Sequence, residues 1–186
     1  MKLKHAMWDA IVHQWESCTA CPIGAQAKKH VFGKGSLWAE VMFVGEGPGK
    51  LEDLEGVPFI GLAGQLLGDA LKDAGGYGKR SLQFFYTNLV CCRPCDTLGG
   101  PNRPPSETEI ANCSQRFKIT LETVNPSAVV LLGRVPERAL ASQPYLRNYK
   151  VFCMEHPAYI LRLGGKKSDK YKIYVQKLRE VLKSAL

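Results

Sequence analysis

The residues best suited to chemistry in this chain are its cysteines and three polar residues that follow apolar runs. Cys18 and Cys21 form a C-x2-C pair, Cys91, Cys92, Cys95 and Cys113 gather much later, and Cys153 stands alone. Seven cysteines, an odd number, argue against a disulfide framework and for metal ligation or buried thiols. Glu46 lies in the turn Gly45-Glu46-Gly47-Pro48-Gly49, Asn88 sits near the end of a second apolar run, and His156 follows a fourth. A carboxylate, an amide and an imidazole at one edge can hold a small polar ligand, with Glu46 or His156 doing acid–base work. Each alone has a plainer reading: a turn, a backbone cap, a packed histidine. Their coincidence is what points to a site.

The elements that must position these groups follow from periodicity. Trp8, Ile11, Val12 and Trp15 recur at helical spacing, so an N-terminal helix delivers Cys18 and Cys21 at its end, with Pro22 as its stop. Val41 to Val44, Phe84 to Val90, Ala128 to Leu132 and Val151 to Met154 read as short apolar strands. Between them, Leu66, Leu67, Ala70 and Leu71 mark a helix over 62–74, and Val135 to Ser142 reads as helical. Ser106 and Glu109 form a capping box that opens a helix carrying Cys113 and ending before Asn125-Pro126. Tyr171, Tyr174, Leu178, Val181 and Leu182 predict a C-terminal helix. Strands alternating with helices imply a three-layer α/β/α sandwich around a central, mostly parallel four-stranded sheet. In such sheets ligands bind at the carboxyl ends of the strands, where Glu46, Asn88 and His156 fall.

Composition narrows the classes. The 186 residues read as a single domain, 1–186, whose 45% hydrophobic content fills a core without disulfides. No apolar run approaches a membrane span, and the start, Met1 to His5, lacks the apolar stretch of a secretory signal. A cytoplasmic protein with no membrane partner is expected. The net charge of +8 makes a polyanion the default partner, because Lys and Arg release counterions from phosphates. Gly45 to Gly49 fits neither the dinucleotide nor the Walker pattern, which sets NAD and ATP aside.

Taken in order, several segments resemble the iron-sulfur uracil-DNA glycosylases, with family 4 as the best match. They are Cys18-x2-Cys21, Gly45 to Gly49 with Glu52-Asp53, Gly56-Val57-Pro58-Phe59-Ile60-Gly61, Thr87-Asn88 and Cys92-Arg93-Pro94. Asn102-Arg103, Glu109-Ile110 with Cys113, and His156 to Arg162 continue the match. The resemblance implies a uracil-DNA glycosylase-like fold and removal of uracil from single- or double-stranded DNA, by hydrolysis of the glycosidic bond after base flipping. It implies a 4Fe-4S cluster on Cys18, Cys21, Cys92 and Cys113, with Cys91 where the family usually has lysine; its job would be structural. Spacing alone also allows zinc on Cys18, Cys21, Cys92 and Cys95.

The resemblance also distributes roles. Phe59 would stack on uracil and Asn88 would pair with its O4 and N3 edge, within a pocket that includes Gly47. Glu46 would position water or stabilise cationic charge on the sugar, and His156 would hydrogen-bond O2 of the departing base. Gly47, Pro48 and Gly49 would let backbone approach phosphate, and the loop His156, Pro157, Tyr159, Leu161 and Arg162 would enter the duplex, with Tyr159 or Leu161 as wedge. Glu52 and Asp53 would support their loop. A monofunctional, monomeric enzyme of base-excision repair, associated with the nucleoid, is the expectation. The alternatives are a catalytically weak iron-sulfur DNA-binding module and a glycosylase for another altered base. The chain departs from the family in Gly47, usually Ala there, and in an insertion spanning Cys95 to Pro101. No histidine lies between Arg93 and Asn112, which argues against covalent DNA capture.

Overall fold

The computed structural model describes residues 2–76 and 82–186. Its helices and strands run in the order α1 (Lys2–Trp15), α2 (Pro22–Gln26), β1 (Lys34–Gly35), β2 (Val41–Gly45), α3 (Lys50–Glu55), α4 (Leu62–Asp73) and β3 (Phe84–Asn88). They continue with α5 (Glu107–Val124), β4 (Ala128–Leu132), α6 (Arg134–Leu140), β5 (Lys150–Met154), α7 (Pro157–Arg162) and α8 (Asp169–Ala185). Among the described residues no helix is long and apolar enough to cross a membrane.

The sheet has five strands, in the order β1-β3-β2-β4-β5, rather than the four read from the sequence. The extra strand, β1, is two residues long and pairs antiparallel with β3; Lys34-Gly35 is too short and too polar to show a hydrophobic pattern. The other pairings are parallel, with Gly45 opposite Asn88 and Leu132 opposite Met154. Strands β2 and β4 are buried at every position, as expected for a sheet covered on both faces.

Alternation along the strands divides the core. Val41, Phe43, Ala128, Val130 and Leu132 pack with α4, α7 and α8 on one face. Met42, Val44, Val129 and Leu131 pack with Phe117 and Leu121 of α5 and Leu140 of α6 on the other. A third cluster joins Ile11 and Trp15 of α1 to Ile23 of α2 and to Val90, Cys91 and Cys92, which follow β3.

Three local readings are corrected. Pro22 does not stop the first helix, which ends at Trp15; it occupies the first turn of α2, where its missing N–H costs nothing. The second strand ends at Asn88 instead of Val90, and Leu89 and Val90 instead donate their backbone N–H groups to Gly45 and Glu46. The segment after His156 is a helix, α7, with Pro157 at its start.

The capping box of α5 is present: Glu109 N–H donates to Ser106 Oγ at 3.2 Å, and Ser106 N–H to Glu109 Oε2 at 2.7 Å. The buried Glu109 also takes both guanidinium ends of Arg103 at 2.8 Å, while Arg103 Nε holds Asp96 at 2.6 Å. Arg93 donates to Asn102 Oδ1 at 2.6 Å and to the Gly100 carbonyl. The 95–101 insertion is thus tied to the start of α5. Arg103 holds the Glu109 carboxyl below its usual range. A depressed carboxylate contributes stability at neutral pH that is lost as pH falls through its folded value, below the ordinary 4.5. Glu109→Ala is expected to cost about 2 kcal/mol at pH 7 and Ser106→Ala about 1 kcal/mol. Denaturant titrations at pH 7 and in acid check both, the Glu109→Ala deficit shrinking in acid.

Candidate active site

The carboxyl edge of the parallel strands gathers most of the expected residues. Gly47, Pro48 and Gly49 after β2, Asn88 at the end of β3 and His156 after β5 line one cavity of about 260 Å³ with Phe59 and Glu52. That is close to the small end of ligand sites, roughly 300–1,000 Å³, and suits one small ring. A larger cavity of about 860 Å³ lies between α5 and α6 and includes none of the predicted site residues.

Asn88 is buried, and among the described residues its side-chain amide makes no hydrogen bond to the protein. Its place depends on Gly45, its partner in the β2–β3 register. A Cβ at Gly45 would overlap Asn88 Oδ1 and come within 2.8 Å of Phe59 Cζ, so a side chain there would fill the space that the amide and the ring share. Gly47 is less constrained: a Cβ there would meet Pro94 and Val90 side chains at 3.0 Å.

Phe59 has φ +54, a left-handed conformation that costs a non-glycine residue about 1–2 kcal/mol. Several contacts hold it. Lys34 Nζ donates to the Phe59 carbonyl at 2.9 Å, and the Phe59 ring lies 5.8 Å from the ring of Tyr86. Glu52 Oε1 accepts from Gly61 N–H at 2.9 Å, closing the segment that carries Phe59. Asp53 is buried and accepts from Lys28 N–H at 3.1 Å. Both acids thus brace their loops.

His156 caps α7: Ala158 N–H donates to Nδ1 at 3.2 Å, so in the neutral ring Nε2 carries the proton. Burial, helped by the Arg162 charge and opposed by Glu52, lowers its pKa to about 4. At neutral pH the ring is therefore an uncharged donor. Glu46 follows β2 but is not among the cavity-lining residues; burial raises its carboxyl above the ordinary range, and among the described residues the carboxylate has no hydrogen-bond partner.

Of the residues assigned to a DNA surface, Tyr159 is 41% exposed and Arg162 is exposed, whereas Leu161 packs partly against the core. Pro48 and Pro157 are buried and shape their turns.

Cys18, Cys21 and Cys113 pack against the cluster containing Cys91 and Cys92. Cys91 Sγ lies 3.8 Å from Cys92 Sγ and 3.7 Å from Cys113 Sγ. Cys95 is buried outside that cluster and lines a small pocket with Asp53, Leu54 and Arg93. No group of three or more Cys, His, Asp or Glu among the described residues is arranged around a single ion.

Beside these thiols lies Arg116, fully buried on α5. Its Nη2 donates to the Asn88 and Leu89 carbonyls at 2.7 and 2.6 Å and its Nη1 to Thr87 Oγ1 at 3.2 Å; Nε is buried without a partner. Cys113 is raised by its hydrogen bond with Cys91 and then by burial; Cys91, lowered by its contact with Cys113, is raised by Cys92 and by burial to about 12, and the Arg116 charge favours the thiolate form of both. Among the described residues Arg116 binds neutral oxygens alone; a buried cation so placed calls for a nearby anion, and a thiolate-ligated cluster is one. The donor set and this charge therefore fit an anionic iron–sulfur group.

Sequence reasoning missed Lys34, Gly45 and Arg116. Lys34 carries no local signal, and the glycine-rich turn that includes Gly45 does not show that Gly45 lies opposite Asn88. Arg116 carries one, since it shares a helical stripe with the buried Thr120 and Thr123, where a charge is out of place.

Comparison with known proteins gives a consistent picture. The family model of the uracil DNA glycosylase superfamily matches residues 14–179. The type-4 uracil-DNA glycosylase of Thermotoga maritima is 33% identical over 175 residues, covering 87% of each chain. That of Archaeoglobus fulgidus is 33% identical over 166 residues, 89% of this chain and 79% of the relative. That of Saccharolobus solfataricus is 39% identical over 126 residues, 68% of this chain, which spans only 55% of that relative's length.

The two glycines make distinct predictions. Gly45→Ala is expected to destabilise the fold by about 1–3 kcal/mol and to displace Asn88 and Phe59. Gly47→Ala is expected to cost under about 1 kcal/mol, because flexible side-chain ends can yield. Thermal unfolding with crystal structures of both variants checks this ranking.

Proposed function

This chain belongs to the uracil DNA glycosylase superfamily, and from that premise we propose that it removes uracil from DNA as a type-4, monofunctional glycosylase. The observation that carries the reading is the single cavity in which a partner-free Asn88 amide, the Phe59 ring and a neutral His156 converge.

The target nucleotide must leave the stack for its glycosidic bond to be reached. In the cavity Phe59 stacks on the ring, and Asn88 offers an acceptor to N3–H and a donor to O4. Cytosine presents the opposite pattern and is refused. As the C1′–N1 bond breaks, its electron pair moves into uracil, and the His156 Nε2–H stabilises the charge developing at O2. Glu46, ionised, stabilises the cationic sugar and orients the water that adds to C1′; it takes the water's proton, which then passes through solvent to the released uracil anion, so the carboxylate is regenerated. Pro48 and Gly49 carry backbone toward phosphate, Tyr159 rather than Leu161 fills the vacated gap, and Arg162 adds charge at that edge. The +8 net charge favours the polyanion.

Cys18, Cys21, Cys92 and Cys113 would hold a 4Fe-4S cluster. When bound, it supplies a structural tie between the end of α1, α5 and the segment after β3. Residues 1–186 work as one domain and one monomer, in the cytoplasm at the nucleoid.

Strand cleavage of uracil-containing oligonucleotides after alkali tests the reading. His156→Ala and Glu46→Gln are each expected to slow excision by about 10²–10⁴. Failure of cluster-loaded wild type to release uracil while still binding DNA would leave the binding module. The pH–rate profile is a second check. Because His156 stays neutral down to about 4, the acid limb belongs to Glu46 and lies above 4.5. It persists in the residual activity of His156→Ala and disappears in Glu46→Gln. Serine at Cys92 or Cys113 is expected to lower bound iron and the visible absorption of anaerobically purified protein.

A further inference from the structure

Arg116 is 0% exposed, and among the described residues its hydrogen bonds go to Thr87, Asn88 and Leu89, at and just after the end of β3. One amino group grips two successive carbonyls, of Asn88 and Leu89, and the other takes the hydroxyl of Thr87. Thr87 Oγ1 in turn donates to the Phe32 carbonyl at 2.7 Å. The guanidinium therefore fixes the backbone from which the Asn88 amide projects. The opposite wall is fixed by Gly45, where no side chain fits beside that amide. Within α5, Arg116 lies one turn after Cys113, so the residue that orients the strand end is carried by the helix that anchors a thiol.

Strand ends do not ordinarily need a buried cation. Asn88 N–H and Gly45 are already placed by the parallel ladder, and a neutral donor would serve the buried carbonyls of Asn88 and Leu89. Burying an arginine without a carboxylate partner is costly unless its geometry is used. Resting on the uracil-excising reading above, we infer that Arg116 is a positioning residue for base recognition, acting through the backbone of Thr87, Asn88 and Leu89 to aim the Asn88 amide at the base. It touches neither base nor sugar. It also makes thiol packing around Cys113 and base reading at Asn88 parts of one rigid assembly.

A double-mutant cycle on the cluster-loaded enzyme tests this. Single-turnover excision of uracil is measured for wild type, Arg116→Lys, Asn88→Ala and the double variant. Lysine keeps the charge but cannot grip both carbonyls and the hydroxyl. Arg116→Lys is expected to slow excision roughly tenfold in the wild-type background and less than about twofold when Asn88 is alanine. Its affinity for uracil-free duplex and its visible absorption are expected to stay within about twofold of wild type, which a general loss of structure would not allow. If Arg116→Lys does not fold, Thr87→Val, which removes the hydroxyl that accepts from Arg116 and donates to the Phe32 carbonyl, enters the same cycle. Equal losses in both backgrounds, or full activity of Arg116→Lys, would overturn the inference. Absence of uracil release by wild type would instead overturn the proposed function, and the inference with it.

Discussion

The parallel pairing of β2 with β3 is the constraint on which the rest of the site depends. Its register sets Gly45 opposite Asn88, and the missing side chain of one leaves room for the amide of the other and for the Phe59 ring. A shift by one residue would turn every strand side chain to the other face, exchanging Val41 and Phe43 with Met42 and Val44. Because both faces are covered by helices, the core itself holds that register.

Around this pair the protein places groups that cannot satisfy themselves locally. Phe59 is kept in a left-handed conformation by a lysine from the edge strand. Asn88 keeps its amide free while its carbonyl is held from behind by Arg116. His156 directs one ring nitrogen to a backbone N–H, which fixes the tautomer, and burial keeps it uncharged. Strain at Phe59, an Asn88 amide without a partner among the described residues and a His156 ring held neutral by burial thus meet in one cavity.

The cysteines connect this edge to the N-terminal helix. Cys91 and Cys92 continue directly from β3, Cys113 lies on α5, and Cys18 and Cys21 follow α1. Whatever draws these thiols together also fixes where β3 ends and where α5 begins. The clamp of Arg103 on Glu109 braces the same junction from the insertion side.

The sequence by itself determined the layered α/β class, the apolar strands β2, β3 and β4, the capping box of α5 and the strand-end position of Glu46, Asn88 and His156. All of these are recorded in local spacing: apolar runs, helical periodicity and Ser106 with Glu109 three residues on. The order of motifs along the chain carried the family resemblance. Only the tertiary structure decided the fifth strand and the placing of Glu46 outside the cavity lining. It alone decided the work of Lys34, Gly45 and Arg116. Those depend on contacts between residues distant in sequence, such as Arg116 with Asn88, Lys34 with Phe59 and Gly45 with Asn88. Local periodicity cannot encode which residues meet, because meeting is fixed by register and by the crossing of helices over the sheet.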